Sequence, residues 1–392
     1  MKILFLSRWF PYPTNNGSKL RIYNLLRGLS KHHEITLLSF ADQPDTNPEV
    51  PEIRSLCSDV HIVPWREFDP KSTRSLFGFL NLMPRSLVDT FSSEMSQKII
   101  YLLSTQRFDL VIASQLSMAS YRPYFKNIPA LFEEVEVGLS YGDANLSADL
   151  KKRLRHAFTW FKLRRYLLQL LDSFQSCTVA SDQERQLLVQ KFSRLHDAVE
   201  VIPNCVQVNE YKNRQSTLTP NQLIFSGSFR YRANYEAMLW FVREVYPLIL
   251  KQVPDAHLVI TGDHADLPFP SAPNITLAGY VDDIKSLTAS SWVSVAPLLS
   301  GGGTRLKILE AMAVGTPVVA TSKGAEGLDS IPGEHLFIAD LPDAFAEQVV
   351  MILKDERLRD RISVNGNLLV KEKYDWENVM PRFLSLVEKI TA

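Results

Sequence analysis

The chain has 392 residues, 45% of them hydrophobic and 22% charged, with 43 Lys plus Arg balanced by 43 Asp plus Glu. That is the composition of an ordinary globular protein long enough for two or three domains, and the lack of a basic excess argues against a dedicated nucleic-acid binder. Cys57, Cys177 and Cys205 are odd in number, far apart and outside any C-x-x-C spacing, which argues against a disulfide framework or a zinc site and fits a reducing compartment.

The apolar start is interrupted by Arg8, short of the roughly 7 to 15 residues of a signal-peptide core. Lys2–Leu6 is therefore expected as a buried first strand. No other stretch reaches the roughly 18 uninterrupted apolar residues of a membrane span, so the expected location is the cytoplasm, soluble or peripheral on the inner membrane face. Short β-type runs then alternate with helical patterns, the signature of βαβ units and a largely parallel sheet. Strands are expected at Lys2–Leu6, Glu34–Phe40, Val60–Val63, Leu110–Ala113, Ala130–Phe132 and Cys177–Ala180, with helices at Ser18–Ser30 and Ser96–Leu103. A short strand within Val199–Val208 and the polar stretch Glu210–Asn221 follow, the latter expected as an interdomain linker.

The pattern restarts at Leu223–Gly227 and runs through helix Asn234–Lys251, strands His257–Thr261 and Ile275–Leu277, helix Asp283–Ala289, strand Val293–Ala296, helix Thr304–Ala313 and strand Pro317–Ala320. Three helices, Asp343–Lys354, Glu356–Lys373 and Trp376–Ile390, close the chain. The expected fold class is α/β, two doubly wound Rossmann-like domains over residues 1–208 and 222–375, with a cleft between them as the default ligand site.

The most informative stretch is Ser300-Gly301-Gly302-Gly303-Thr304-Arg305-Leu306-Lys307-Ile308-Leu309-Glu310. Glycines after a strand permit close backbone approach, and the following helix presents free N–H groups and a positive dipole end, which together make an anion site. Arg305 and Lys307 fall in its first turn, where cations are unfavourable unless an anion is shared. A diphosphate fits that pattern. Glu310 lies one helical turn after Lys307 in an otherwise apolar stretch, and ribose hydroxyls would supply the donors that such a carboxylate needs.

The run from Gly301 through Pro317, continued by Lys323-Gly324-Ala325-Glu326-Gly327, resembles the C-terminal domain of family 4 glycosyltransferases, especially bacterial sugar transferases that build exopolysaccharide. Met1–Gly17 resembles the first strand and glycine loop of that family, and Phe225–Phe229 its donor-domain first strand. The resemblance implies a GT-B fold, a metal-independent retaining transfer from a nucleoside-diphosphate sugar, no cofactor, and a last helix, 376–392, that packs back on the first domain. It assigns donor contacts to Gly17, Gly227, Arg230, Gly301, Gly302, Gly303, Thr304, Arg305, Lys307 and Glu310. Two departures stand out. The second glutamate that many members carry two turns before the ribose-binding one is Gly302 here, and the usual Arg and Lys after the Phe225–Gly227 strand are Ser228 and Ala233. Arg305 and Lys307, with Arg230 and Arg232 in reach, would replace those cations.

In the first domain Gly17 alone remains of the paired glycines of the family, preceded by Asn16, which tolerates left-handed geometry. The other reading is an ordinary strand-to-helix turn capped by Ser18. Strand Ala130–Phe132 runs into Glu133-Glu134-Val135-Glu136, where crowding raises carboxylate pKa values. One of Glu133 and Glu134 is then an acid, a base or a sugar ligand, unless the cluster is simply a solvated loop. Basic and aromatic residues over 151–166 suit an anionic membrane surface or a lipid-linked acceptor, or else form a solvated helix face. No histidine pattern has metal-ligand spacing. The function expected is sugar transfer to a glycan, lipid-linked or other hydroxyl acceptor. Two alternatives stay open: a sugar-nucleotide epimerase on the same fold, and a catalytically silent nucleotide-sugar-binding protein.

Overall fold

The structure, a computed structural model, describes residues 1–136, 150–191, 198–211, 217–301 and 305–391, with the side chains of all of these except 150–152, 154–156 and 191. It divides into two compact units, Met1–Pro203 with Met380–Ala392, and Asn204–Val379.

The first unit is built on seven parallel strands, β1 (Lys2–Ser7), β2 (Glu34–Ala41), β3 (Asp59–Pro64), β4 (Leu110–Ser114), β5 (Ala130–Glu133), β6 (Ser176–Val179) and β7 (Val199–Val201), in the order β3-β2-β1-β4-β5-β6-β7. The interiors of β1, β2, β4 and β5 are buried almost throughout. Strands covered on both faces by crossover helices have no solvent side, which is why they read as unbroken apolar runs. Helix Gly17–Leu29 sets Ile22, Leu25, Leu26 and Leu29 into the core. Its cap is Asn16, in extended backbone (φ −146°), whose side chain accepts from the Lys19 N–H at 2.9 Å. Asn16 is therefore not left-handed, and Ser18 is not the cap. Gly28 leaves room for Met380: a Cβ there would lie 2.2 Å from the methionine sulfur.

The second unit carries six parallel strands, β8 (Thr219–Ser226), β9 (His257–Thr261), β10 (Ile275–Gly279), β11 (Ser291–Ala296), β12 (Val318–Ala320) and β13 (Phe337–Ile338), in the order β10-β9-β8-β11-β12-β13. The two-residue β13 is too short to leave a sequence pattern. Helices Arg232–Trp240 and Tyr246–Gln252 are joined by a π-turn over Phe241–Val245; Pro247, without an N–H, cannot continue a regular α ladder there.

The chain passes from one unit to the other at Pro203/Asn204, ahead of both the expected limit at 208 and the expected linker. Hydrophobic burial explains this. Val206, Val208 and Tyr211 pack with Ile308, Leu309 and Met312, and Val206 pairs with Asp375, so the segment up to Tyr211 is second-unit core.

Both sheets reverse their order once, between β1 and β4 in the first unit and between β8 and β11 in the second. At such switch points adjacent crossovers leave the sheet in opposite directions and open a crevice at the strands' carboxyl ends, where ligands bind in doubly wound folds.

Candidate active site

In the second unit the carboxyl end of β8 passes into Gly227, whose backbone (φ +153°) leaves no space for a side chain: an added Cβ would lie 2.7 Å from Asn234 Nδ2 and 2.9 Å from Lys307 Nζ. Lys307 projects from helix Leu306–Ala313. Its ammonium donates to Asn234 Oδ1 at 2.9 Å and sits 4.2 Å from the Phe225 ring centre. Burial, reinforced by the positive charge of Arg305, brings its pKa down from 10.5 to about 7, with Glu310 opposing. Among the described residues no ion pair joins Lys307 to Glu310.

Glu310 lies one turn further along the helix, half-buried. Tyr211 Oη donates to its Oε1 at 3.4 Å. Burial raises the pKa of Glu310, against the Tyr211 hydrogen bond and the charges of Lys285 and Lys307. The Lys285 ammonium lies 4.3 Å from the Tyr211 ring centre and donates to Glu210 at 2.9 Å. The site thus holds an ammonium and a carboxylate, both poorly solvated, each with a neutral hydrogen-bond partner and not paired with each other, an arrangement that costs stability.

Arg305 is positioned differently from Lys307. It caps the helix rather than lying in its first turn, and its side chain is buried. Its Nη2 donates to the Gly301 carbonyl at 3.1 Å and the Lys323 carbonyl at 2.9 Å, with Glu326 Oε2 at 3.7 Å. Two carbonyls from different loops on one guanidinium tie those loops together. Gly301 (φ +89°) abuts Tyr231, whose hydroxyl would be 2.1 Å from a Cβ. Gly302, Gly303 and Thr304 lie outside the described residues. Arg230 is exposed and paired with Asp263.

In the first unit the carboxyl ends of β4 and β5 carry a buried polar cluster. Arg21 Nε donates to Glu133 Oε1 at 2.6 Å, and Ser114 Oγ donates to Glu133 Oε2 at 2.6 Å. Both oxygens of this fully buried carboxylate are therefore engaged, and Glu133 holds Arg21 rather than facing a ligand. Glu134 is next to it, with Arg21 Nε at 3.7 Å and the Gln115 amide donating to its Oε2 at 3.1 Å. Burial raises the Glu134 pKa to about 7, with Arg21 opposing and the Glu133 charge adding to the rise. Glu134 and Gln115 both sit at positive φ, +59° and +69°, a strained backbone that non-glycine residues hold mostly where function or packing requires it. The Gln115 amide also reaches Ser18 Oγ at 3.3 Å, next to Gly17. The solvated-loop reading of 133–134 does not hold, since both side chains are buried.

Among the described residues no group of three or more His, Cys, Asp or Glu side chains is arranged to hold a metal ion. No helix among them is long and apolar enough to cross a membrane.

The family described as Glycosyl transferases group 1 matches residues 220–355, the stretch that bears Gly227, Lys307 and Glu310. Residues 220–355 are thus similar to a glycosyl transferases group 1 domain. Over nearly its whole length the chain is similar to an uncharacterized 44.6 kDa protein in the cps region of Klebsiella pneumoniae, with 21% identity over 96% of this chain and 97% of that one. It is 31% identical to phosphatidyl-myo-inositol mannosyltransferase of Mycobacterium tuberculosis over 214 residues, 50% of this chain and 55% of that protein. Among solved structures, Thermosynechococcus elongatus sucrose-phosphate synthase matches with a TM-score of 0.69 at 15% identity, over 100% of this chain and 99% of that one. Anabaena HepE in complex with UDP matches with a TM-score of 0.65 at 14% identity, over 99% of this chain and 100% of that one. The fold of the chain is accordingly GT-B, two parallel-sheet Rossmann-like units.

Sequence reasoning missed Asn234, Tyr211 and Lys285 in the second unit, and Arg21 and Gln115 in the first. Each reaches its site from an element distant in sequence and has no motif of its own. It also missed Arg8, whose guanidinium lies 4.1 Å from the Trp9 ring centre and 3.5 Å from that of Trp65.

Proposed function

We propose that this chain is a glycosyltransferase that moves a sugar from a nucleoside diphosphate to a hydroxyl acceptor, with retention of configuration and without a metal, in cell-surface or exopolysaccharide glycan synthesis. The observation that carries the reading is Lys307: an ammonium desolvated at the β8/β11 switch point, packed against Gly227 where a side chain would displace it. Anionic phosphate is the ligand class that such a cation favours. The nucleotides in the HepE complexes, UDP and UDP-glucose, support the donor class, and similarity to a cps-region protein supports the glycan setting.

In the proposed reaction the bond from the anomeric carbon to the diphosphate oxygen breaks and the electron pair stays on the diphosphate. Lys307 stabilises that growing charge more in the transition state than in the ground state, the condition for accelerating the chemical step. Arg305 braces the loop ends behind it, and Glu310 accepts from the ribose hydroxyls. The parts of Gly302, Gly303 and Thr304 in diphosphate binding rest on sequence alone. The acceptor hydroxyl attacks from the face the diphosphate leaves, and its proton passes to the departing phosphate oxygen. In the first unit Glu134 contacts the acceptor, with Glu133 and Arg21 fixing its position.

The test is nucleoside diphosphate release from a panel of nucleotide sugars, with and without chelator, and the anomeric configuration of the product by NMR. Release that needs Lys307, persists in chelator and gives a retained anomer is expected. Isomerised nucleotide sugar formed without acceptor, or nucleotide binding with no turnover on any donor and glycan acceptor, would overturn the proposal.

A further inference from the structure

The first unit carries an exposed apolar surface that the transfer chemistry does not use. Phe77, Phe79, Leu80 and Leu82 are exposed, Leu80 at 89% and Phe77 at 70%, as are Phe158 and Phe161 on helix Leu150–Leu171. The two segments meet at one point: the buried Lys162 ammonium donates to the Gly78 carbonyl at 2.7 Å and lies 5.8 Å from the Phe158 ring centre. The segment that presents these side chains, the end of helix Thr73–Phe77 and the chain after it, is held from behind. Arg85 donates to the carbonyls of Ser75 at 3.1 Å and Pro70 at 2.7 Å, and its guanidinium covers the Phe79 ring at 4.0 Å. The buried Lys162 and the half-buried Arg85 thus hold a segment whose large apolar side chains are exposed, and an apolar patch of this kind marks an interaction surface.

The charge around this surface identifies the cover. In sequence, residues 70–86 contain three Lys or Arg and residues 150–171 contain seven, with no Asp or Glu inside either segment and Asp69, Asp149 and Asp172 at their ends. Among the described side chains Arg153, Arg164 and Arg165 are exposed. Exposed apolar side chains beside an excess of cations match the boundary between acyl chains and anionic headgroups, where each Lys or Arg adds roughly fivefold to partitioning. A nucleic acid would use the cations but not Leu80 or Leu82.

We propose that residues 76–82, the end of helix Thr73–Phe77 and the segment after it, form with helix Leu150–Leu171 an insertion surface for an anionic lipid bilayer. Lipid contact needs no nucleotide, so this proposal and the transferase reading can fail separately.

The experiment is sedimentation of the full chain with phosphatidylglycerol-containing vesicles and with pure phosphatidylcholine vesicles, at low and high salt. Comparison proteins are Phe77→Asp with Leu80→Asp, and Arg164→Glu with Arg165→Glu, all at exposed positions and checked for unchanged melting. Binding to the anionic vesicles alone, weakened by salt and at least tenfold by either pair, is expected. No binding at low salt, or binding that neither pair reduces, would overturn it. So would light scattering that shows a dimer in solution dissolved by the Phe77/Leu80 pair, since the surface would then be covered by a second copy.

Discussion

Lys307 makes nucleotide affinity a function of pH. In the empty site its pKa is about 7; beside a diphosphate the ammonium is favoured, and a full return to 10.5 sets the ceiling of the effect. Binding then takes up the proton that the empty site has released, and affinity falls tenfold per pH unit above 7. Between pH 7 and pH 9 the loss is about fiftyfold, or roughly 2.3 kcal/mol. The diphosphate loses its last proton near pH 6, so it adds no slope in this window. Isothermal titration of UDP or GDP at pH 7, 8 and 9, repeated in two buffers of different ionisation enthalpy, reads both the slope and the proton uptake. Lys307→Met should bind more weakly at pH 7 and show no slope. Wild-type affinity that stays flat from pH 7 to 9, or a slope that survives in Lys307→Met, would refute the reasoning.

The remaining site residues give separable outcomes. Glu310→Ala should weaken nucleoside diphosphate binding about tenfold or more, the scale for one charge-assisted hydrogen bond, and affect turnover at saturating donor much less. Arg305→Ala should lower the melting temperature, because it loses both loop ties, and should lower turnover as well by releasing the loop ends behind Lys307. Arg21→Met should destabilise the first unit by about 3–5 kcal/mol, the cost of leaving buried Glu133 without its partner; adding Glu133→Gln should recover most of that loss in a urea titration. Glu134 has a raised folded pKa, so its stabilising contribution is present below about 4.5 and lost as pH rises through about 7. Glu134→Gln should therefore raise the melting temperature at pH 8 and leave it nearly unchanged at pH 4.5.

The fold was legible because parallel strands buried on both faces leave unbroken apolar runs such as Lys2–Ser7 and Leu110–Ser114, bounded by polar turns. The site was legible to the extent that it is local. Lys307 and Glu310 share a helix face, and Gly227, which makes room for the Lys307 ammonium, follows a recognisable strand. Long-range partners were not legible: Arg21 meets Glu133 across 112 positions and Tyr211 meets Glu310 across 99. Periodicity shows which face of an element is apolar but not which polar groups converge on it. For the same reason Arg305, a neighbour of Lys307 in sequence, could not be separated from it in role until its two carbonyl partners were seen. The exposure of residues 76–82 was not legible either: helix Thr73–Phe77 is short, and the backbone there is held by Lys162 and Arg85 from 84 and 10 positions away.

The central claim is that the second unit binds a nucleoside diphosphate with the phosphates at Lys307 and the ribose at Glu310. A crystal structure with UDP or GDP bound tests it most directly. The account predicts a phosphate oxygen within about 3 Å of Lys307 Nζ, close to Gly227, and a ribose hydroxyl on the Glu310 carboxylate. A nucleotide seated elsewhere, with Lys307 still donating only to Asn234, would contradict it.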